Sequence, residues 1–184
     1  SIFSPSSPNV TPTPEGMFTS EVAVNEISRD SQGKELDTKE IADMASSVCE
    51  YYDALHVINC QKEMGKKIDE EKHIKAIWMA LHASYALEAL RFMVSFATSL
   101  AMVENRIFMG NGNIISLILQ DELLHKGWTG WIIKQVVKED KRFAKAQKEC
   151  EKEVYDMYMD VIREEKEWAD YLFQKGPVIG LNAN

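Results

Sequence analysis

Apolar residues recur every three or four positions along most of this chain, which is the spacing of one face of an α-helix. Glycine and proline are scarce between Asp37 and Lys175, where helix-forming residues dominate. We therefore predict an all-α fold. A capping box of Asp37 and Glu40 is expected to open a first helix that runs to about Gly65. Further helices are predicted to begin near Asp69, near Asn113 after Gly110-Asn111-Gly112, and near Asp140.

The first 36 residues differ in composition from the rest of the chain. Pro5, Pro8, Pro12 and Pro14 stand among many serines and threonines, which is typical of an extended arm or linker. The chain has 184 residues, 45% of them hydrophobic, and this is enough for one core. We predict an arm over residues 1–36 and a helical bundle domain over residues 37–184.

Two of the helical stripes carry ionisable side chains on their apolar face. Glu88 shares its face with Tyr85, Phe92 and Phe96, and a later stripe contains Glu122 and His125. The neighbours of that pair on the same face are Ile115, Ile118, Thr129 and Ile132. An unpaired buried carboxylate costs several kcal/mol or takes up a proton, whereas a bound cation compensates its charge. The pattern therefore indicates a metal site.

The spacing of these residues points to a particular kind of metal site. Glu122 and His125 are three positions apart, so both can reach one ion from one helix. In carboxylate-bridged di-iron and di-manganese bundles, two helices each give a Glu-x-x-His and two others each give a carboxylate. One Glu-x-x-His and the lone Glu88 amount to half of that set. Oxygen-rich ligation with a single imidazole favours iron or manganese over structural zinc.

Glu-x-x-His also arises by chance in helices rich in glutamate. Glu70 and His73 form a second match, but they lie in a polar run at a predicted helix start, and we interpret them as a solvated helix end. His73 is also about 22 Å from Glu88 along a helix, too far to share one ion. The Lys and Glu run over residues 138–153 is expected to be a solvated helix face.

Several longer sequence motifs resemble those of the small, radical-generating subunit of class I ribonucleotide reductase, in its bacterial and phage type. The resemblance extends from about Ser47 to Asn182 and implies a partial ferritin-like helical bundle. The motifs that carry the resemblance are Ala86-Leu87-Glu88-Ala89-Leu90-Arg91-Phe92, Val94-Ser95-Phe96-Ala97, Asp121-Glu122-Leu123-Leu124-His125, Glu165-Lys166-Glu167-Trp168-Ala169-Asp170-Tyr171-Leu172-Phe173 and Ile179-Gly180-Leu181-Asn182.

The resemblance implies a role for each matching residue. Glu88, Glu122 and His125 match metal ligands of one half-site in a dinuclear centre of two irons or of manganese and iron. Asp121 matches an aspartate beside a ligating histidine on the radical-transfer route. The residues matching the apolar pocket around the radical are Phe92, Phe96 and Ile118. The resemblance further implies a role in making deoxyribonucleotides, a large catalytic partner subunit and a dimeric small-subunit assembly.

The family also has an earlier carboxylate helix, a first Glu-x-x-His and a radical tyrosine, and no segment here resembles them. A naturally split subunit completed by another chain, an experimentally cut fragment and a degenerate remnant would each explain this. We favour the split subunit because the matched ligands are intact. We do not assign the radical to Tyr85, Tyr155, Tyr158 or Tyr171. Trp128, Trp131 and Trp168 are expected to be core or subunit-contact residues.

Two other functions remain open at this point: another ferritin-like di-metal oxidase or iron-storage protein, and a metal-free helical scaffold. The formal charge of −8 and the lack of a basic cluster argue against nucleic-acid binding. No stretch without Asp, Glu, Lys or Arg exceeds 14 residues, short of the roughly 20 that a membrane span needs. Three cysteines without paired spacing suit a reducing cytoplasm.

The proposed site sets one geometric condition on the fold. Glu88 precedes Asn111 by 23 residues, whereas Glu122 follows it by 11. A straight hairpin turning at Asn111 would separate the two carboxylates by about 18 Å along the helix axis. We therefore predict that the Glu88 helix ends, kinks or turns aside between about Phe96 and Glu104.

Overall fold

The computed structural model describes the backbone of residues 39–177 and 180–182, and side chains from residue 48 onward. This part contains six α-helices and one π-helical segment, so the predicted all-α class is confirmed. The predicted arm over residues 1–36 and the Asp37–Glu40 cap lie outside the described side chains. The elements are α1 (Lys39–Glu63), α2 (Glu70–Ala86), the π segment (Leu87–Arg91), α3 (Met93–Glu104), α4 (Met109–Glu139), α5 (Lys141–Glu149) and α6 (Glu151–Phe173).

Helix α2 lies at the centre of the unit formed by residues 47–184 and packs against α4, α5 and α6. Its buried residues include Ile74, Trp78, Met79 and Ala83, which recur at helical spacing. Side chains of the neighbouring helices, among them Ala146 and Met157, complete the cluster. A helix with so broad an apolar face is stable only when several partners cover it.

Two of the predicted helix starts are confirmed, and each has an aspartate cap. The Asp69 carboxylate accepts hydrogen bonds from the backbone N–H groups of Glu71 and Lys72, at 3.0 and 3.2 Å. The Asp140 carboxylate accepts one from the N–H of Arg142 at 2.8 Å. These bonds satisfy donors that the first helical turn leaves free.

The predicted start of the next helix near Asn113 is wrong. Helix α4 begins at Met109, and the sequence Gly110-Asn111-Gly112 lies inside it. The turn is formed instead by residues 105–108, with Arg106 and Phe108 in the left-handed region at φ 59° and 54°. Gly112 serves close helix packing, because a Cβ there would lie 1.9 Å from Cγ2 of Val103.

The interruption of the Glu88 helix lies upstream of the range we predicted. It falls at the π segment and at Phe92, whose ψ is 0°, while α3 continues unbroken to Glu104. The earlier turn reduces the mismatch that required a bend, but it does not bring Glu88 level with Glu122. Glu88 bonds to Thr129, which follows Glu122 by seven residues, about 10 Å along α4.

By length and composition alone, the helical run Glu70–Glu104 could cross a membrane, and the core helix of a soluble protein passes the same test. This run includes the half-buried Glu88 and the buried Arg91, which pairs with Glu164 of α6. Charged groups of this kind are expensive in hydrocarbon. Our expectation that the protein does not enter a membrane stays a prediction.

Candidate metal centre

Glu88 lies in the π segment that joins α2 to α3. At the start of this segment the N–H of Leu87 bonds to the carbonyl oxygens of both Ala83 and Ser84. A π turn holds one more residue than an α turn, so it changes the direction of the side chains that follow. Such turns are frequent at functional sites. The buried residues Ala89 and Arg91 fix the segment against its neighbours.

Two hydroxyl groups orient the Glu88 carboxylate. Thr129 of α4 donates a hydrogen bond from Oγ1 to Oε2 at 2.8 Å, and Ser84 donates a longer one to Oε1 at 3.4 Å. Within the part of the chain that the structure describes, no lysine or arginine forms a salt bridge with Glu88. The neutral donors leave the charge of this half-buried carboxylate uncompensated, and a bound cation would compensate it.

Glu122 and His125 lie together on α4. The Nδ1 atom of His125 is 3.5 Å from Oε2 of Glu122. The Glu122 side chain is 20% exposed and the His125 side chain is 57% exposed. The predicted pairing of these two residues on one helix therefore agrees with the geometry, but the imidazole faces solvent.

The three predicted ligands are not gathered into one cluster. Thr129, the partner of Glu88, follows His125 by four residues and Glu122 by seven. Along α4 these spacings correspond to about 6 Å and about 10 Å. Among the described residues no group of three His, Cys, Asp or Glu side chains is close enough to hold a metal ion. Glu88, from the π segment, instead lies beside Thr129, one to two turns along α4 from the Glu122–His125 pair.

The remaining predicted site residues differ in burial. Phe96 is buried and its ring centroid lies 6.0 Å from that of Phe92, whereas Phe92 and Ile118 are each 40% exposed. Asp121 is exposed on α4. Phe92 and Phe96 are thus adjacent, as their spacing predicted, but Ile118 and Asp121 face away from the described core.

Sequence reasoning missed the groups that orient Glu88. Thr129 stands in the predicted stripe at four residues from His125, and that spacing was the available signal. Ser84 precedes Glu88 by one helical turn. Tyr52 of α1 is a third neighbour. Burial raises the pKa of its phenol, and the Glu88 charge adds to that increase.

The second Glu-x-x-His match is a helix start, as predicted, but it is only partly solvated. Glu70 is exposed, whereas His73 is buried and its Nε2 lies 2.8 Å from Oδ1 of Asn59. A neutral amide oxygen satisfies this imidazole, so it has a structural explanation without a metal.

A buried charged cluster lies where the π segment meets α6. Arg91 pairs with Glu164, and Oε2 of the adjacent Glu165 accepts a hydrogen bond from the backbone N–H of Val94 at 3.3 Å. Burial raises the pKa of Glu165 to about 7, although the Val94 bond and the Arg91 charge oppose the increase. This cluster anchors the segment that carries Glu88.

The donor set suits iron or manganese in type. It combines two carboxylates with one imidazole, and hard oxygen donors with a single nitrogen are typical ligands of both metals. One Glu-x-x-His and one further glutamate are half of the ligand types that carboxylate-bridged dinuclear bundles use.

Comparisons with known proteins agree on one family. The model for the family "Ribonucleotide reductase, small chain" matches residues 24–184. The chain is 35% identical over 176 residues to the ribonucleoside-diphosphate reductase 1 subunit beta of Salmonella typhimurium, covering 95% of this chain and 46% of that relative. It is 38% identical over 143 residues to the subunit beta of enterobacteria phage T4, covering 76% and 37%. The chain thus spans about half the length of the curated relatives it matches.

Proposed function

The chain belongs to the ribonucleotide reductase small-chain family, and from this premise we propose that it forms the ligand-bearing part of a class I small subunit. Its all-α architecture agrees with the partial ferritin-like bundle expected for that family. In this proposal Glu88, Glu122 and His125 supply half of the ligands of a di-iron or manganese–iron centre. The observation that carries the proposal is the hydrogen bond by which Thr129 presents Glu88 to the helix that holds the other two ligands.

Each of the proposed site residues has a defined task in this function. Thr129 and Ser84 hold the Glu88 carboxylate in one orientation, and the Glu122–His125 pair offers an oxygen and a nitrogen from one helix face. Phe92, Phe96 and Ile118 would exclude water from the site, and Asp121 would orient a neighbouring imidazole. When bound, the metals supply the oxidation that generates the radical for reducing ribonucleotides to deoxyribonucleotides.

The function requires partners. A complementing chain or segment would supply the remaining ligands, and a large catalytic subunit would hold the nucleotide and use the radical. We also propose a dimeric small-subunit assembly in the cytoplasm.

Metal analysis tests this proposal directly. The chain would be purified alone and together with a segment that carries the remaining family ligands, with iron and manganese supplied in both cases. We expect about two metal ions per complex and few on the isolated chain, because three ligands on one chain form only half of a dinuclear site.

Glu122→Gln is the informative variant and Glu70→Gln is its matched control, because each residue is the glutamate of a Glu-x-x-His motif. Glu122→Gln should lower the metal content of the complex, whereas Glu70→Gln should leave it unchanged. A complex that binds no metal would favour the metal-free scaffold. Equal metal content in the two variants would remove Glu122 from the ligand set.

A further inference from the structure

Tyr158 on α6 and His82 on α2 form a short hydrogen bond that the proposed function does not use. The phenol oxygen lies 2.7 Å from Nδ1 of His82, and both side chains are part-buried. Burial lowers the pKa of His82 from 6.5 to about 4 and raises the pKa of Tyr158 above its ordinary value. At neutral pH the pair therefore consists of a neutral imidazole and a neutral phenol.

Tyr158 is the donor in this hydrogen bond. The Nε2 atom of His82 is buried and has no hydrogen-bond partner among the described residues, whichever nitrogen carries the hydrogen. If Nδ1 carried the hydrogen, the phenol O–H would lose its acceptor, and a second part-buried polar group would be left unsatisfied. The O–H of Tyr158 therefore points to the lone pair of Nδ1, so a base is placed to receive the phenol proton.

A phenol and an imidazole in this arrangement can release an electron and move a proton together. Loss of an electron makes a phenol O–H a far stronger acid than an imidazolium, even one with a pKa of about 4. The proton then crosses to Nδ1 within ordinary hydrogen-bond reach. The products are a neutral phenoxyl radical and an imidazolium, and the electron passes to the oxidant. At rest the weak basicity of His82 keeps the proton on Tyr158.

The surroundings of His82 keep the transferred proton beside the phenol. In the part of the chain that the structure describes, Nε2 of His82 has no hydrogen-bond partner, and the indole Nε1 of Trp78 is also buried without one. The Trp78 ring lies against the imidazole, with the ring centroids 4.5 Å apart. The proton on Nδ1 therefore has no way through the ring to another of these residues, and it returns to Tyr158 when an electron returns.

The pair lies close to the helix that carries two of the proposed ligands. The ring centroid of Tyr85 is 6.3 Å from that of Tyr158, a distance at which aromatic rings are in contact. The Tyr85 ring also lies against α4, where a Cβ at Gly130 would be 3.0 Å from its Cε2 atom. Gly130 follows Thr129, whose hydroxyl binds Glu88. One aromatic ring thus separates Tyr158 from this part of α4, so an electron can move between them in short steps.

We propose that Tyr158 and His82 form a redox-active pair, in which Tyr158 gives one electron to a strong one-electron oxidant and its phenol proton to Nδ1 of His82. The oxidant is a transition-metal centre, and this part of the inference rests on the proposed function. Each electron that Tyr158 gives reduces the centre by one electron, so the pair removes an oxidising equivalent that is not used elsewhere. The pair is separate from the radical that serves nucleotide reduction.

Photochemical oxidation of the metal-free chain tests the pair without the metal centre. The probe is a ruthenium(III) polypyridyl complex, generated by a laser flash in the presence of a cobalt(III) electron acceptor. Phenoxyl radicals are followed by transient absorption and by electron paramagnetic resonance. We expect a slowly decaying phenoxyl signal, because the radical is shielded and its proton stays on His82. Tyr158→Phe should lose this signal. Tyr155→Phe is the control and should keep it, since Tyr155 is 63% exposed on the same helix.

His82→Gln separates proton acceptance from a structural role. The glutamine amide oxygen can accept the Tyr158 hydrogen bond, but it cannot take the proton at neutral pH. We expect this variant to form the slow radical at least about a hundredfold more slowly, the lower end of what a positioned base contributes. In the wild-type chain, heavy water should also slow radical formation, because the proton moves with the electron.

Three results would each overturn the redox pair: a slow signal that persists in Tyr158→Phe, an unchanged rate in His82→Gln, or equal rates in light and heavy water. The metal-loaded complex then tests the link with the metal centre. After exposure to oxygen, Tyr158→Phe should lose the same slow signal at unchanged metal content. A loaded wild-type complex without that signal would refute the link. A complex that binds no metal would contradict only the proposed function, because the photochemical test needs no metal.

Discussion

Replacing Glu165 by glutamine should stabilise this protein above pH 7 and have little effect near pH 5. Glu165 is only 7% exposed, and its Oε1 atom is buried without a hydrogen-bond partner in the described part of the chain. Its other oxygen keeps the bond from the Val94 N–H. Burial raises the pKa of this carboxyl to about 7 from an ordinary value of 4.5. The folded protein therefore holds this proton to a higher pH than the unfolded chain does.

The sign and size of the effect follow from this difference. Between about pH 5 and pH 7 the folded state binds more protons at Glu165 than the unfolded state, so rising pH lowers the free energy of unfolding. At 1.36 kcal/mol per pKa unit the full shift corresponds to about 3 kcal/mol. We expect about 1–2 kcal/mol, because relaxation and water penetration around the ionised carboxylate reduce the penalty in real proteins. Glutamine does not titrate and avoids this loss.

Urea unfolding followed by circular dichroism at pH 5, 6, 7 and 8 measures the effect. Glu167→Gln is the control, since this exposed residue pairs with Arg163 on the same helix and should change stability by less than about 0.5 kcal/mol. The two stability curves, wild type and Glu165→Gln, should separate as the pH rises. Parallel curves over the whole range would refute a raised pKa at Glu165.

Three further substitutions test other parts of the structure. Tyr158→Phe removes the hydroxyl that lies 2.7 Å from Nδ1 of the part-buried His82 and should cost about 1–2 kcal/mol in urea unfolding, whereas replacing the exposed Tyr155 by phenylalanine should cost little. Gly112→Ala should destabilise by about 1–3 kcal/mol because its Cβ would meet Val103, while Gly110→Ala has open space and should stabilise by up to about 1 kcal/mol in thermal unfolding. Thr129→Val should weaken metal binding by the assembled complex about tenfold, and Thr129→Ser should retain it, as measured by titration with iron or manganese.

Features set by neighbours in the sequence could be predicted, and the caps show why. Asp69 and Asp140 bond to N–H groups two or three residues later, so the signal and the structure lie in the same short window. Gly110 and Gly112 were misread because glycine favours turns as well as close packing. The turn at residues 105–108 places Arg106 and Phe108 in the left-handed region, which these residue types rarely adopt, so no local signal marked it.

The same distinction applies to the candidate site: contacts within one helix could be predicted from the sequence, and contacts between helices could not. Glu122 and His125 could be paired from spacing alone because they share one helix. The bond between Thr129 and Glu88 joins residues 41 positions apart, and it depends on the turn position and on the π segment. Neither of those could be derived from periodicity. The burial of His73 was missed for a similar reason, since its partner Asn59 belongs to α1.

The ligands of the proposed centre differ in how firmly this chain holds them. Glu88 is bonded to Thr129 and lies in a segment anchored by the ion pair between the buried Arg91 and Glu164. The side chain of His125, in contrast, is more than half exposed. Ordering the exposed imidazole of His125 costs conformational entropy. Either a metal ion or a docked partner can order it first, and the one that binds second no longer bears that cost.

Metal binding and partner binding should therefore strengthen each other by the same factor, because coupling free energies are reciprocal. We expect iron or manganese to tighten capture of the complementing segment at least about fivefold, the lower end of typical coupling. Capture would be titrated with and without metal, with His125→Ala as the variant that should lose the difference. Equal affinity in the two conditions would show that metal binding and partner binding are independent.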